Sequence, residues 1–575
     1  MGELLARLRR RPAQTTLMLI ASVLANILGL ASSLYVIQVL NRYVSHGVDA
    51  TLLTLTVGVG LAILFELGFR WSRMRLAAAV SGEPDHRAGI GAFGILTTAK
   101  LGALERMSSG DRREAISGLE QVESAYSAPN LTAMMDLPFA LLYLGAIFLF
   151  SPPLALIVLI ALCLVMVLGL VNQIALRPMT RKLIEHQAVG HGLIGTTTST
   201  AESVRAFGAG DRLITDWAKN LSVVQGLRRR LARRQGGLQS LTQSIQGIMS
   251  AGVIAFGATL VVIGELDVGM MIGANLLAAR AMQPVTRFAQ LSEALVKSRQ
   301  AMERAKSLAE LPVEPGEGAA LRTYSGKLEL RDLAYTAPGA PAPLFEDLNV
   351  VLEAGSVVAL IGRNGAGKTT MARLIAGLVE PSRGQILADD VDLRQIVPAW
   401  WRRQIVYLPQ EPTFINATIR DNLKLLNPDL TDEALEAILE RSGAARFVHE
   451  TEKGLDTMVV NNGLNMARGE RRRLAVARAL ASGGRLVLFD EPTEGMDEEG
   501  VRQIYETLVQ LARAGRTIIV SSHDPQIIRG AQMLIDLDAK PKPEIRMLSK
   551  DAGATSQNWN AGARGGPPVK PKAAE

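Results

Sequence analysis

A single cysteine in 575 residues leaves no partner for an intrachain disulfide and no cysteine cluster for a metal; Cys163 stands inside an apolar run and reads as a packing residue. The six histidines show no metal-ligand spacing, and His186 and His191, five apart, fall in a polar stretch. Acidic side chains are outnumbered, 55 Asp and Glu against 62 Lys and Arg, giving a net charge of +7. That excess does not argue for nucleic acid, because the basic residues gather between apolar segments and beside their ends. The lead before the first apolar run, residues 1–14, is so short that no separate N-terminal domain, and hence no leader-trimming peptidase, is expected in it.

What is present is apolar. With 48% hydrophobic residues and a mean hydropathy of +0.18, the composition suggests a membrane part joined to a soluble part, and the length asks for two or three domains. Six spans are expected, at 17–40, 52–69, 131–150, 154–171, 241–263 and 268–282. The turn Ser151-Pro152-Pro153 and the turn carrying Glu265 and Asp267 hold no basic residue, whereas 72–130 and 175–234 are long, basic and helically periodic. The basic side belongs to the cytoplasm, so both termini are expected there, with membrane lipid around the spans. Glu66 and Arg70 read as an i,i+4 pair. Arg280, deep in the sixth span, reads as a residue lining a substrate path, as a structural ion pair or as a residue near the inner interface, and Pro284 beyond it as a kink. These expectations place a membrane domain at 1–311, a linker at 312–325, a soluble α/β domain at 326–549 and a disordered tail at 550–575.

The soluble part turns on one stretch. Val357-Val358-Ala359-Leu360-Ile361 leads into Gly362-Arg363-Asn364-Gly365-Ala366-Gly367-Lys368-Thr369-Thr370 and then into a helical pattern. This is strand, loop, helix in the pattern G-x-x-x-x-G-K-[ST]. Its glycines let backbone N–H groups wrap phosphates, Lys368 reaches the β/γ-phosphates, and the Thr369 hydroxyl can ligate Mg²⁺; the helix N-terminus adds its positive dipole end. Downstream, Leu486-Val487-Leu488-Phe489 delivers Asp490 and Glu491 to the end of a buried strand. Asp490 suits the metal, and Glu491 suits a general base for water attacking the γ-phosphate. Gln410 closes Tyr407-Leu408-Pro409-Gln410 and can reach the metal or water; His523, in Ser521-Ser522-His523-Asp524, can orient the γ-phosphate; Tyr335 can stack on adenine. Gln410 or His523 alone is ordinarily a surface residue; their common order around two phosphate-site motifs gives them meaning.

The order Tyr335, Gly362 to Thr370, Gln410, Leu486 to Asp490, Glu491, Asp497 and His523 resembles that of the ABC transporter ATPases. The resemblance implies a six-helix, all-α membrane exporter domain followed by an α/β P-loop nucleotide-binding domain, using ATP and Mg²⁺. More narrowly, Ser33-Leu34-Tyr35-Val36-Ile37-Gln38-Val39-Leu40-Asn41-Arg42, Met135-Asp136-Leu137-Pro138-Phe139 and Arg280-Ala281-Met282-Gln283-Pro284 look like the type I secretion exporters. That implies a dimeric pump in a bacterial inner membrane, working with a periplasmic membrane-fusion protein and an outer-membrane tunnel to export a polypeptide. The alternatives are a lipid, drug or peptide exporter, and an ATP-gated assembly or signalling protein that moves nothing.

One segment departs from the resemblance. The family signature Leu-Ser-Gly-Gly-Gln aligns with Met466-Ala467-Arg468-Gly469-Glu470. In ABC dimers this segment closes over ATP held by the opposite subunit, so Ala467, Arg468 and Gly469 are counted with the ATP-binding residues. Ala467 lacks the hydroxyl, and Arg468 replaces a glycine that permits close approach. Two readings follow: a heterodimer with a second half-transporter whose signature is intact, or, slightly favoured, a homodimer in which Arg468 brings positive charge to the γ-phosphate. Hydrolysis is expected to be slow.

Overall fold

The computed structural model describes residues 2–44, 47, 49–319 and 322–548; the tail expected to be disordered, 550–575, lies outside them. The chain divides into two compact units, one of residues 1–99 and 103–312, the other of 100–102 with 313 onward.

The first unit is helical. Apolar runs longer than a bilayer's needs continue without a break into polar, helically periodic sequence, and the helices follow them: α1 (Pro12–Gln38), α2 (Asp49–Thr98), α3 (Ser109–Ala125), α4 (Ala128–Asp136), α5 (Phe139–Phe150), α6 (Pro152–Ser199), α7 (Gly210–Val262), α8 (Val268–Gln290) and α9 (Ser292–Ala309). Leu137 and Pro138 separate α4 from α5, and Ser151 separates α5 from α6. The polar stretch around 110–122 is the helix α3, which packs along α9, with Gly118 against Ala301.

Among the described residues, five helices or helix pairs are long and apolar enough to cross a membrane: those containing 12–44, 49–98, 128–150, 152–199 and 210–262. The sixth expected span, 268–282, does not qualify on composition, and the packing explains why. α8 lies against α1, α5, α6 and α7, and Gly273, Ala274, Leu277, Ala278, Ala281, Met282 and Val285 are buried there. A helix sheltered by other helices can carry Asn275, Arg280 and Gln283. Pro284 falls inside α8, which runs on to Gln290.

The second unit holds two sheets. A four-stranded antiparallel sheet has the order β2 (Phe345–Leu352), β1 (Leu328–Tyr335), β4 (Arg383–Ala388), β5 (Val391–Asp392). A six-stranded sheet has the order β10 (Glu544–Met547), β9 (Met533–Asp536), β3 (Val357–Ile361), β8 (Thr517–Ser521), β7 (Leu486–Asp490), β6 (Ile405–Leu408). Strands β9, β3, β8, β7 and β6 run parallel. The three central strands are short, largely apolar runs buried on both faces, as parallel strands covered by helices must be. Around them stand α10 (Lys368–Ile375), α11 (Asp432–Ser442), α12 (Arg468–Ala481) and α13 (Glu498–Arg513). Parallel order brings the carboxyl ends of β3, β6, β7 and β8 to one edge, where ligands of open α/β sheets bind.

Candidate functional site

The loop after β3 turns sharply into α10. Gly362, Gly365 and Gly367 have φ of 145°, 84° and 113°, values that L side chains avoid. A Cβ on Gly367 would also lie 2.8 Å from Leu344 Cδ2. Ala366 is buried, and its N–H donates to the Arg363 carbonyl at 3.0 Å. Arg363, Asn364 and Gly365 are exposed at the tip, with the Arg363 N–H donating to Asp538 Oδ2 at 2.9 Å.

Lys368, at the first position of α10, is 7% exposed and folds back over the loop. Its Nζ donates to the Gly362 carbonyl at 2.7 Å and lies 2.7 Å from His523 Nε2 and 3.3 Å from Glu491 Oε1. His523 Nε2 is 3.5 Å from the same Glu491 oxygen. Three residues far apart in sequence therefore converge because β3, β7 and β8 end side by side. Glu491 has a φ of 47°, a left-handed conformation costly for a side chain of its kind. Its N–H donates to the Ser521 carbonyl at 2.9 Å, which fixes the turn that aims the carboxylate.

Asp490 ends β7 fully buried. Its Oδ1 accepts from the Ser521 hydroxyl, and its Oδ2 is buried with no hydrogen-bond partner among the described residues. An orphaned buried carboxylate oxygen is costly unless a cation meets it. Thr369 Oγ1 donates to Gln410 Oε1 at 3.3 Å, so two further neutral oxygens stand together. One carboxylate with neutral oxygens and substrate phosphates is the donor set Mg²⁺ takes. Thr370 follows, half-buried in the first turn of α10.

Tyr335 ends β1 half-buried and opposite Phe345. Its carbonyl accepts the Leu344 N–H at 2.7 Å, which ties it to the segment lying against Gly367.

Ala467 is the N-cap of α12. Glu470 Oε2 accepts the Ala467 N–H at 3.3 Å, but Ala467 has no side-chain oxygen to return the bond, so the capping box is half made. Gly469, half-buried, has open space where a Cβ would sit. Arg468 turns to Glu494, with 3.2 Å between Nη2 and Oε1.

Sequence reasoning missed Arg472. It is 3% exposed and donates to four main-chain carbonyls: Gln410 at 2.7 Å, Asp490 at 3.1 Å, Pro492 at 3.1 Å and Glu491. Burial pulls its guanidinium below the ordinary arginine value, opposed by the charge of Glu494. Arg478 on the same helix is more strongly affected, pulled down to about 10 by burial.

Two models of known families match the chain: "ABC transporter" over 345–494 and "ABC transporter transmembrane region" over 15–285. The chain belongs to the ABC transporters. It joins a helical membrane domain to an ATP-binding domain, and this transporter is an exporter. It is 28% identical to the toxin RTX-I translocation ATP-binding protein of Actinobacillus pleuropneumoniae over 524 residues, covering 90% of this chain and 74% of that protein. It is 27% identical to the alpha-hemolysin translocation ATP-binding protein HlyB of Escherichia coli O157:H7 over 527 residues, covering 90% and 74%. A bacterial Atm1-family ABC exporter solved with ATP bound shares the fold, with a TM-score of 0.81 at 21% identity over 94% of this chain and 95% of that one.

In the transporter's membrane domain, each of the three segments singled out by resemblance makes contacts between helices. A Cβ at Gly269 or Gly273 of α8 would fall inside Asn41 or Ile37, and Asn41 Nδ2 donates to Asp267 Oδ2 at 3.3 Å. Asp136 accepts from Arg73 at 2.5 Å and from Asn26 at 3.3 Å. Arg280 donates to Ser32 Oγ at 2.7 Å and lies 3.8 Å from Glu66, which pairs with Arg70 at 2.6 Å. The Glu66–Arg70 pair is thus present, and Arg280 joins it.

Proposed function

We propose that the chain is the ATPase and membrane subunit of a type I secretion system, exporting a polypeptide across a bacterial inner membrane as a dimer, with a homodimer preferred. The observation that carries this reading is the likeness, over 90% of the chain, to proteins named for toxin and hemolysin translocation. A periplasmic membrane-fusion protein and an outer-membrane tunnel complete the path. Both termini and the ATPase domain lie in the cytoplasm.

In this reading Gly362 to Thr370 wrap the phosphates of ATP and Tyr335 faces the adenine. Thr369, Gln410 and Asp490 hold Mg²⁺, and the unpartnered Asp490 Oδ2 supports that assignment. Bound there, the ion neutralises phosphate charge. Lys368 leaves the Gly362 carbonyl for the β/γ-phosphates. Glu491, released from Lys368, takes a proton from water attacking the γ-phosphate, and His523 donates to the γ-phosphate oxygens. Ala467, Arg468 and Gly469 of each copy close over the ATP of the other. Without the signature hydroxyl, turnover is slow.

The test is ATP hydrolysis by the chain alone in lipid nanodiscs, with particle mass recorded and Lys368→Ala and Glu491→Gln beside it. Hydrolysis from a particle of two chains, lost by about 100-fold or more in both variants, is expected. A folded single-chain particle that binds ATP without turnover would overturn the homodimer. Deleting the gene should also abolish release of a secreted protein; intact secretion with altered lipid or drug efflux would assign a smaller cargo.

A further inference from the structure

Glu494 follows the Glu491-Pro492-Thr493 turn and bridges two elements. Its Oε2 accepts from Gln410 Nε2 at 3.3 Å, and its Oε1 lies 3.2 Å from Arg468 Nη2. At the other end of the same amide, Gln410 Oε1 accepts from Thr369 Oγ1 at 3.3 Å. An amide can present either its oxygen or its nitrogen to a neighbour, but an ionised carboxylate only accepts. Glu494 therefore decides the orientation, with the nitrogen toward itself and the oxygen toward Thr369.

The neighbouring glycine fits the same arrangement. Gly495 has a φ of 72°, and a Cβ there would lie 2.9 Å from Arg468 Nε and 3.1 Å from its Cδ. The arginine stem thus lies across a residue with no side chain, and its guanidinium ends on the preceding carboxylate. Arg468, Glu494 and Gly495 are shaped to one another, and through Glu494 they reach the amide of Gln410.

We propose that Glu494 is a positioning residue of the ATP site, turning the Gln410 amide oxygen to the metal position while holding Arg468 over Gly495. This rests on the reading of Thr369, Gln410 and Asp490 as the Mg²⁺ set. Carboxylates that orient a metal's ligands without touching the metal are worth about 10- to 100-fold in metal affinity.

The experiment measures ATP affinity of the full chain in nanodiscs as MgCl₂ is raised, and again in EDTA. Glu494→Ala is expected to raise the half-saturating Mg²⁺ concentration about tenfold while leaving affinity in EDTA unchanged. Glu494→Gln, able to donate or accept, is expected to fall between. Should Glu494→Ala lose ATP in EDTA as well, through misfolding, Glu494→Gln decides in its place. The exchange Arg468→Glu with Glu494→Arg restores an ion pair but offers Gln410 only donors, so its Mg²⁺ defect should persist. A Glu494→Ala curve matching wild type, or full recovery in the exchanged pair, would overturn the proposal. Thr369→Val and Gln410→Ala separate the two layers. If they shift the Mg²⁺ curve and Glu494→Ala does not, only the role of Glu494 fails; if they leave it unmoved, the metal set itself is wrong and the role falls with it.

Discussion

Arg472 Nη1 donates to the Gln410 carbonyl at 2.7 Å, and the same guanidinium holds the carbonyls of Asp490, Glu491 and Pro492. One side chain of α12 thereby fixes the ends of β6 and β7, the two strands that deliver Gln410 and the acidic pair. Arg472→Met fills similar space and donates nothing, leaving several buried carbonyls unpaired. It should destabilise the nucleotide-binding domain by about 3 kcal/mol. Calorimetry of the purified chain would register this as a lowered unfolding midpoint; an unchanged midpoint would show the bonds to be dispensable.

Ala467→Ser should act in the opposite direction. A hydroxyl at the N-cap of α12 would complete the box that Glu470 already half closes, adding about 1 kcal/mol. The expected rise in midpoint needs no nucleotide. If the serine also speeds hydrolysis, the missing hydroxyl limits turnover.

Asp497 caps α13 through the Gly500 N–H at 2.9 Å and pairs with Arg473 at 2.7 Å. The Gly500 bond, then Arg473, hold its carboxyl below the ordinary range. A depressed folded-state value means the stabilisation is present above the unfolded value, near 4, and lost as pH falls through the folded one. Asp497→Asn keeps the cap and loses the charge. Its deficit in midpoint against wild type should therefore be constant at neutral pH, begin to shrink below about pH 4 and vanish only once pH has fallen through the lower folded-state value. Asp497 is mostly exposed, so the deficit should be small.

Gly273 faces Ile37, and any Cβ there enters that side chain. Gly273→Leu should force α8 off α1 and cost about 3 kcal/mol by overpacking, lowering the yield of folded chain in detergent. Gly58, in open space on α2, should accept leucine without that loss.

The parts of the site that lie in one short run were readable in sequence. A five-residue apolar strand, a glycine loop and a lysine spell out Gly362 to Lys368, and an apolar run ending in two acids spells out Asp490 and Glu491. Their convergence also followed, since parallel strands bring carboxyl ends together. What did not follow were bonds between elements. Nothing in Arg471-Arg472-Arg473 marks the middle residue as buried; only the packing of α12 on β6 and β7 does so. Glu494 and Gly495 likewise gain meaning from Arg468, 26 residues away in the chain from Glu494. In the membrane domain, composition marked the apolar helices well, because none of the residues in α2's apolar window is buried. It undervalued α8, whose surroundings are protein.

The burial of α8 also orders its birth. A nascent helix that carries an arginine and several amides has little tendency to leave the translocation channel for lipid by itself. The helices that mainly shelter α8, namely α1, α5, α6 and α7, all precede it in the chain, as does α4, which also touches it, so the ribosome has finished its receptacle before it emerges. Entry of the last membrane helix is then a docking event rather than a partitioning event. Its fidelity is set by the glycines and alanines of its own surface.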